Sequence, residues 1–168
     1  MIDQGVLEAL KKAATNEQKT HEFYLQAAER VEDACGREVF LSLAEEELNH
    51  LRMVQRQYEA LEGGEGWVKF AEAAAAEKFE PLEMRKMSEK PVGPTTSDRD
   101  ALLFAIQLEN DSYEMYVNDA KRVTSPAGKQ MYQYLAQAER RHFDILMLNY
   151  EHLTTTGGFL GLDVSGCE

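Results

Sequence analysis

Only two cysteines occur in the 168 residues, Cys35 and Cys167, and they lie far apart in the chain. They form no Cys-x-x-Cys pair, so a four-cysteine iron site, an iron–sulfur cluster or a zinc knuckle is excluded. So sparse a thiol content fits a reducing compartment, and a cytoplasmic location is expected. No apolar run reaches the length of about eighteen residues that a bilayer span requires. The opening residues, Met1 to Gly5, have neither the basic nor the apolar region of a signal peptide, so none is expected. Basic residues are in deficit, with 18 Lys and Arg against 30 Asp and Glu for a net charge of −12. Without a basic cluster, neither nucleic acid nor an anionic membrane is expected as a partner. Proline is scarce as well. Three of the 4 prolines, Pro81, Pro91 and Pro94, fall close together, and the stretches on either side are free to be long helices.

Those stretches carry apolar residues at helical spacing. A first helix is expected from about Gly5 to Asp33, on Val6, Leu10, Ala13, Ala14, Leu25, Ala28 and Val31. Cys35-Gly36 reads as a short turn, and a second helix follows to about Leu61 before the glycines at 63, 64 and 66. From Trp67 to Thr96 the pattern is irregular. A short alanine-rich helix is expected over Lys69–Phe79, with Trp67, Phe70 and Phe79 capping one end of the core. About thirty residues are too many for an ordinary hairpin loop and suit a crossover between two helical pairs. Ser97 caps a third long helix to Val123, and Ser125-Pro126 opens a fourth to about Leu153. The expected organisation is a bundle over 1–156 and an apolar tail over 157–168.

Glutamates interrupt the apolar stripes. Glu17 falls mid-stripe in the first helix and Glu109 in the third, while Glu47-Leu48-Asn49-His50 and Glu139-Arg140-Arg141-His142 interrupt the second and fourth. All are related by one offset of 92 residues, which also carries Tyr24 onto Tyr116. Residues 14–54 slide onto 106–146 without a gap, so one helical hairpin is present twice. Glu and His three apart share a helical face. Two hairpins packed about a pseudo-two-fold axis bring Glu17, Glu47, His50, Glu109, Glu139 and His142 together. Four buried carboxylates without counter-charge would be very unfavourable, and two divalent cations would neutralise them. Two glutamates can bridge the ions while each ion takes one further glutamate and one histidine. Mixed carboxylate and imidazole donors suit iron or manganese, as a like or mixed pair. Tyr24 and Tyr116 are candidates to hydrogen-bond ligand carboxylates or to act as redox-active phenols. His21 is a lesser ligand candidate, and Glu45 and Glu46 read as a solvated charge run.

This ligand pattern resembles that of ferritin-like di-iron carboxylate bundles. With Phe23-Tyr24, Leu43-Ala44-Glu45-Glu46-Glu47-Leu48-Asn49-His50, Met115-Tyr116 and Leu135-Ala136-Gln137-Ala138-Glu139-Arg140-Arg141-His142 beside Glu17 and Glu109, it is similar to the rubrerythrin-like branch. The resemblance implies an all-α, ferritin-like four-helix bundle of two hairpins with one long crossover between helices two and three. It implies two iron ions and reduction of hydrogen peroxide or dioxygen. Full-length members carry a cysteine-ligated rubredoxin iron that this chain lacks, so electrons are expected from a separate donor such as a rubredoxin or a flavoprotein. Members also tend to carry a glutamate three residues after the third-helix ligand. Here Ser112 stands there, which makes the site resemble the symmetric ferroxidase centre of bacterioferritin and leaves an iron-binding, ferroxidase or storage role as the alternative. A homodimer is expected, as such bundles often pair.

Overall fold

The computed structural model describes residues 3–74, 97–163 and 166–167. Four long helices and one short one account for most of them: α1 (Gln4–Arg30), α2 (Ala34–Glu62), α3 (Phe70–Ala74), α4 (Asp98–Arg122) and α5 (Pro126–Thr156). The third and fourth long helices of the sequence reading are thus α4 and α5. Each long helix begins where an oxygen-bearing side chain satisfies an otherwise unpaired N–H. Asp3 accepts from Gly5, Asp33 from Gly36, Ser97 from Asp100 and Ser125 from Gly128. Two boundaries differ from the sequence reading. Cys35 and Gly36 lie inside the first turn of α2, and the turn is Val31–Asp33, because Asp33 is already the cap. Helix α5 runs on to Thr156, where Gly157 takes the left-handed conformation (φ 83°) that ends it.

Helices α1 and α2 form one antiparallel hairpin, and α4 and α5 the other. Trp67, just past α2, packs on Gly128 at the start of α5. Asp98, at the start of α4, lies instead near Asp33 and Glu32 at the α1–α2 turn. A helix of 29 residues is about 43 Å long, so the chain leaves α2 at one end of the bundle and resumes in α4 at the other. That is the expected crossover. The short helix is seen over Phe70–Ala74, and the remainder of its expected span, with Phe79 and the three clustered prolines, lies outside the described residues.

The hairpin repeat extends further than its sequence identities. Phe159 lies 92 residues after Trp67, and each ring fills the space left by a glycine in the repeat unit, Phe159 over Gly36 and Trp67 over Gly128. Gln57 and Asn149 are a second such pair, both fully buried amides. Gln57 holds the backbone of Val68 through bonds of 2.7 and 2.9 Å. Asn149 holds Leu160 and Gly161 through bonds of 2.7 to 3.0 Å. The tail is therefore docked: Phe159 is buried against Phe40, and it mirrors the start of the crossover.

Cys35 and Cys167 are joined in a disulfide, with Cα atoms 5.4 Å apart. Their separation in sequence hid this, because the docked tail returns Cys167 to the α1–α2 turn. The cysteine argument for a reducing compartment does not survive this pairing. Among the described residues, no helix is long and apolar enough to cross a membrane.

Candidate metal centre

Two apolar clusters fill the bundle. One holds Leu10, Leu51, Val54, Tyr116, Met131, Tyr132 and Leu135, and the other Phe23, Tyr24, Phe40, Leu43, Leu102 and Leu146. Between them lies a belt of charge-bearing side chains. Glu17 and Glu109 are 0% exposed, Glu47, Glu139 and His142 are 1%, and His50 is 3%. Each sits on the inward stripe of its helix, so the hydrophobic pattern that packs the bundle also carries these six into its interior.

They form two groups of four: Glu17, Glu47, His50 and Glu139, and Glu47, Glu109, Glu139 and His142. Within each, one donor atom per residue lies within 4.8 Å of the others. Glu47 and Glu139 belong to both. The imidazole rings of His50 and His142 stack on one another, 5.6 Å apart and 17° from parallel. His50 Nδ1 faces Glu47, Glu139 and Glu17 at 3.3, 3.4 and 3.6 Å. His142 Nδ1 faces Glu47, Glu139 and Glu109 at 2.8, 3.4 and 3.5 Å. One N–H cannot serve three carboxylates. Among the described residues, Glu17 Oε2, Glu109 Oε2 and both Glu139 oxygens find no hydrogen-bond partner at all. Orphaned, buried, converging oxygens beside inward-facing imidazole nitrogens fit cations, and these residue types fit iron or manganese.

The electrostatics agree. Burial, helped by the charge of Glu47, raises the Glu17 carboxyl to about 8. Burial, helped by Glu139, raises that of Glu109 to about 8. For His50, burial opposes the charge, but the carboxylates of Glu139, Glu17 and Glu47 gathered around its Nδ1 outweigh it and raise the pKa well above the ordinary range. His142 behaves alike, burial being outweighed by Glu47, Glu109, Glu139 and Glu46. Burial and Glu109 oppose ionisation of Glu47, yet His142 and Glu17 prevail and hold it low. Protons thus occupy, in the metal-free protein, the place where cations would balance the charge.

The tyrosines cross over. Tyr24 of α1 donates to Glu109 Oε1 of α4, and Tyr116 of α4 donates to Glu17 Oε1 of α1. Both phenols are fully buried, and burial followed by the neighbouring carboxylate raises each pKa. His21 stands outside both groups, with Nδ1 at 2.6 Å from the Ala44 carbonyl. Ser112 accepts from Asn16 at 2.6 Å and donates to the Leu108 carbonyl. The residue that sequence reasoning set aside is Glu46, which accepts from His142 Nε2 at 2.8 Å. Nothing in the repeat could have found it, since Ala138 occupies the equivalent position.

The model of the rubrerythrin family matches residues 8–150. The chain belongs to that family. Among solved structures it is similar to a hypothetical protein from Pyrococcus furiosus, at 24% identity and a TM-score of 0.68, covering 89% of this chain and 90% of that one. At that identity the likeness concerns the fold. No curated protein matches. Membership of the family and the two buried groups together identify an all-α ferritin-like bundle with a site suited to a di-metal centre.

Proposed function

We propose that the protein is a non-haem di-iron oxidoreductase that reduces hydrogen peroxide or dioxygen with electrons from a separate donor. The observation that carries this reading is the pair of four-residue groups sharing Glu47 and Glu139 inside a closed apolar core. In this reading Glu47 and Glu139, common to both groups, would hold both ions, with Glu17 and His50 at one end and Glu109 and His142 at the other. Two ferrous ions, when bound, would supply two electrons, enough to take hydrogen peroxide to water or dioxygen to hydrogen peroxide. The chain supplies the geometry and the dryness. Tyr24 and Tyr116 fix the terminal carboxylates Glu109 and Glu17 in orientation, and their raised pKa values keep the phenol protons in place. The apolar clusters above and below exclude water and limit side reactions.

A donor such as a rubredoxin or a flavoprotein belongs to the proposal, because both cysteines are engaged with each other. Pairing as a homodimer belongs to it too, and is favoured by the exposed apolar side chains of Leu25, Leu103 and Phe104. A cytoplasmic location completes the proposal, and recovery of Cys35 and Cys167 as free thiols from acid-quenched cells would support it.

The test is anaerobic loading with Fe(II), followed by stoichiometric peroxide. About two irons per chain, with the near-ultraviolet absorption of an oxo-bridged diferric pair and sustained turnover with a reductant, are expected. Little iron, or zinc with no spectral response, would end the di-iron reading. The symmetry of the crossed tyrosine–glutamate pairs and Ser112 at the position of an extra ligand favour a second reading, ferroxidation for iron storage. That reading requires a large closed shell, which light scattering separates from a dimer.

A further inference from the structure

The repeat pairs every member of one metal group with a member of the other, so by sequence the two ends of the site are equivalent. Their surroundings are not. His142 turns Nδ1 inward, and its outer Nε2 donates to Glu46 Oε2 at 2.8 Å. Glu46 is 42% exposed and reaches Arg141 only at 3.7 Å. An ion pair so exposed contributes little by itself, so the contact with the buried ring is the substantial one.

The position equivalent to Glu46 is Ala138, which is buried and offers no acceptor to His50. Tyr134 stands edge-on to the His50 ring instead, with centroids 6.3 Å apart. Phe70 of α3 packs on Tyr134 at 4.8 Å. Ser42 is the counterpart of Tyr134, and among the described residues no tyrosine or phenylalanine stands over His142. Among the described residues none bonds the outer nitrogen of His50, whose contacts all run through Nδ1.

We propose that Glu46 is a positioning residue that holds His142 as the Nε2–H tautomer and makes the Glu47–Glu109–Glu139–His142 position the tighter of two inequivalent divalent-cation sites. This rests on the di-metal reading above. A carboxylate on the outer N–H fixes the ring orientation before metal arrives and enriches the electron density at the ligating Nδ1. Removing such a partner typically costs about 10–100-fold in metal affinity. His50 lacks that support, and its ring is held by the edge of an apolar wall.

The experiment is an anaerobic titration with Co(II), followed by calorimetry and by proton NMR of the shifted ring N–H signals. The wild-type chain is expected to bind two Co(II) in steps separated by about 10–100-fold. Its first equivalent should show one slowly exchanging imidazole N–H. Glu46→Ala should weaken the first step by that factor, leave the second in place and lose the signal to solvent exchange. Glu46→Gln keeps an acceptor and should recover the signal and part of the affinity. Arg141→Ala should change neither step. Circular dichroism of the metal-free variants checks that the helices persist, as a half-exposed position allows. Unchanged steps in Glu46→Ala, or equal weakening of both, would overturn the inference. A wild-type chain that binds no Co(II) would instead overturn the di-metal reading itself, before any variant is compared.

Discussion

At the scale of single residues, the site is a balance between burial and charge. Glu17 and Glu109 have carboxyls raised to about 8, above an ordinary value of 4.5, so the metal-free fold holds protons that the unfolded chain releases. Stability from these groups is full below pH 4.5 and is lost as pH rises through about 8. The raised histidines act in the same direction at their upper end. Metal binding must displace these protons and therefore strengthens with pH. The melting temperature of the chelator-treated protein should fall between pH 5.5 and 8, and two equivalents of metal should remove or reverse that slope. A flat metal-free profile would contradict the assignment. The tyrosines give a second residue-scale expectation. Tyr116→Phe leaves every ligand in place but frees Glu17 to rotate. Affinity for metal should drop by about 10–100-fold with stoichiometry still near two, as read by competition with a coloured chelator.

At the scale of elements, two glycines set how closely the hairpin turns can be covered. A Cβ at Gly36 would lie 2.8 Å from the Phe159 ring and from Val31, and one at Gly128 would lie 2.8 Å from Trp67. Neither ring can retreat into its cluster without moving the segment behind it. Gly36→Ala or Gly128→Ala should each cost about 1–3 kcal/mol through overpacking. For a chain of this size that lowers the melting temperature by about 2–4 °C per kcal/mol, measurable by calorimetry. The two costs should be similar, because the two sites are copies of one design. The buried amides Gln57 and Asn149 complete that design by pairing with backbone that leaves their helices.

At the scale of the molecule, the disulfide ties residue 35 to residue 167, a sequence separation of 132. A bridge across so long a loop restricts the unfolded chain strongly, with a typical contribution of about 2–4 kcal/mol. Dithiothreitol, or the Cys167→Ser variant, should lower the melting temperature by on the order of 10 °C. The ligand groups lie well along the helices from Cys35, so metal content should stay near two per chain under the same treatment. Loss of metal on reduction would show that the tail supports the site as well as the fold.

Helix periodicity, the duplicated Glu-x-x-His and the interrupting glutamates were all readable without coordinates. They are local or are repeated at a fixed offset, and a buried carboxylate on an apolar stripe announces itself by composition. From them followed the two hairpins, the crossover and the six residues that the structure brings together. The pairing of Tyr24 with Glu109 and of Tyr116 with Glu17, the cysteine bridge, the docked tail and the contact of Glu46 with His142 were decided only by tertiary structure. Each joins residues 85 or more positions apart, and helical phase says which face a residue occupies but not which residue of a neighbouring helix it meets. Glu46 shows the limit most clearly. On its own helix it is one acid in a solvated run, and only the approach of α5 turns it into the partner of a buried histidine.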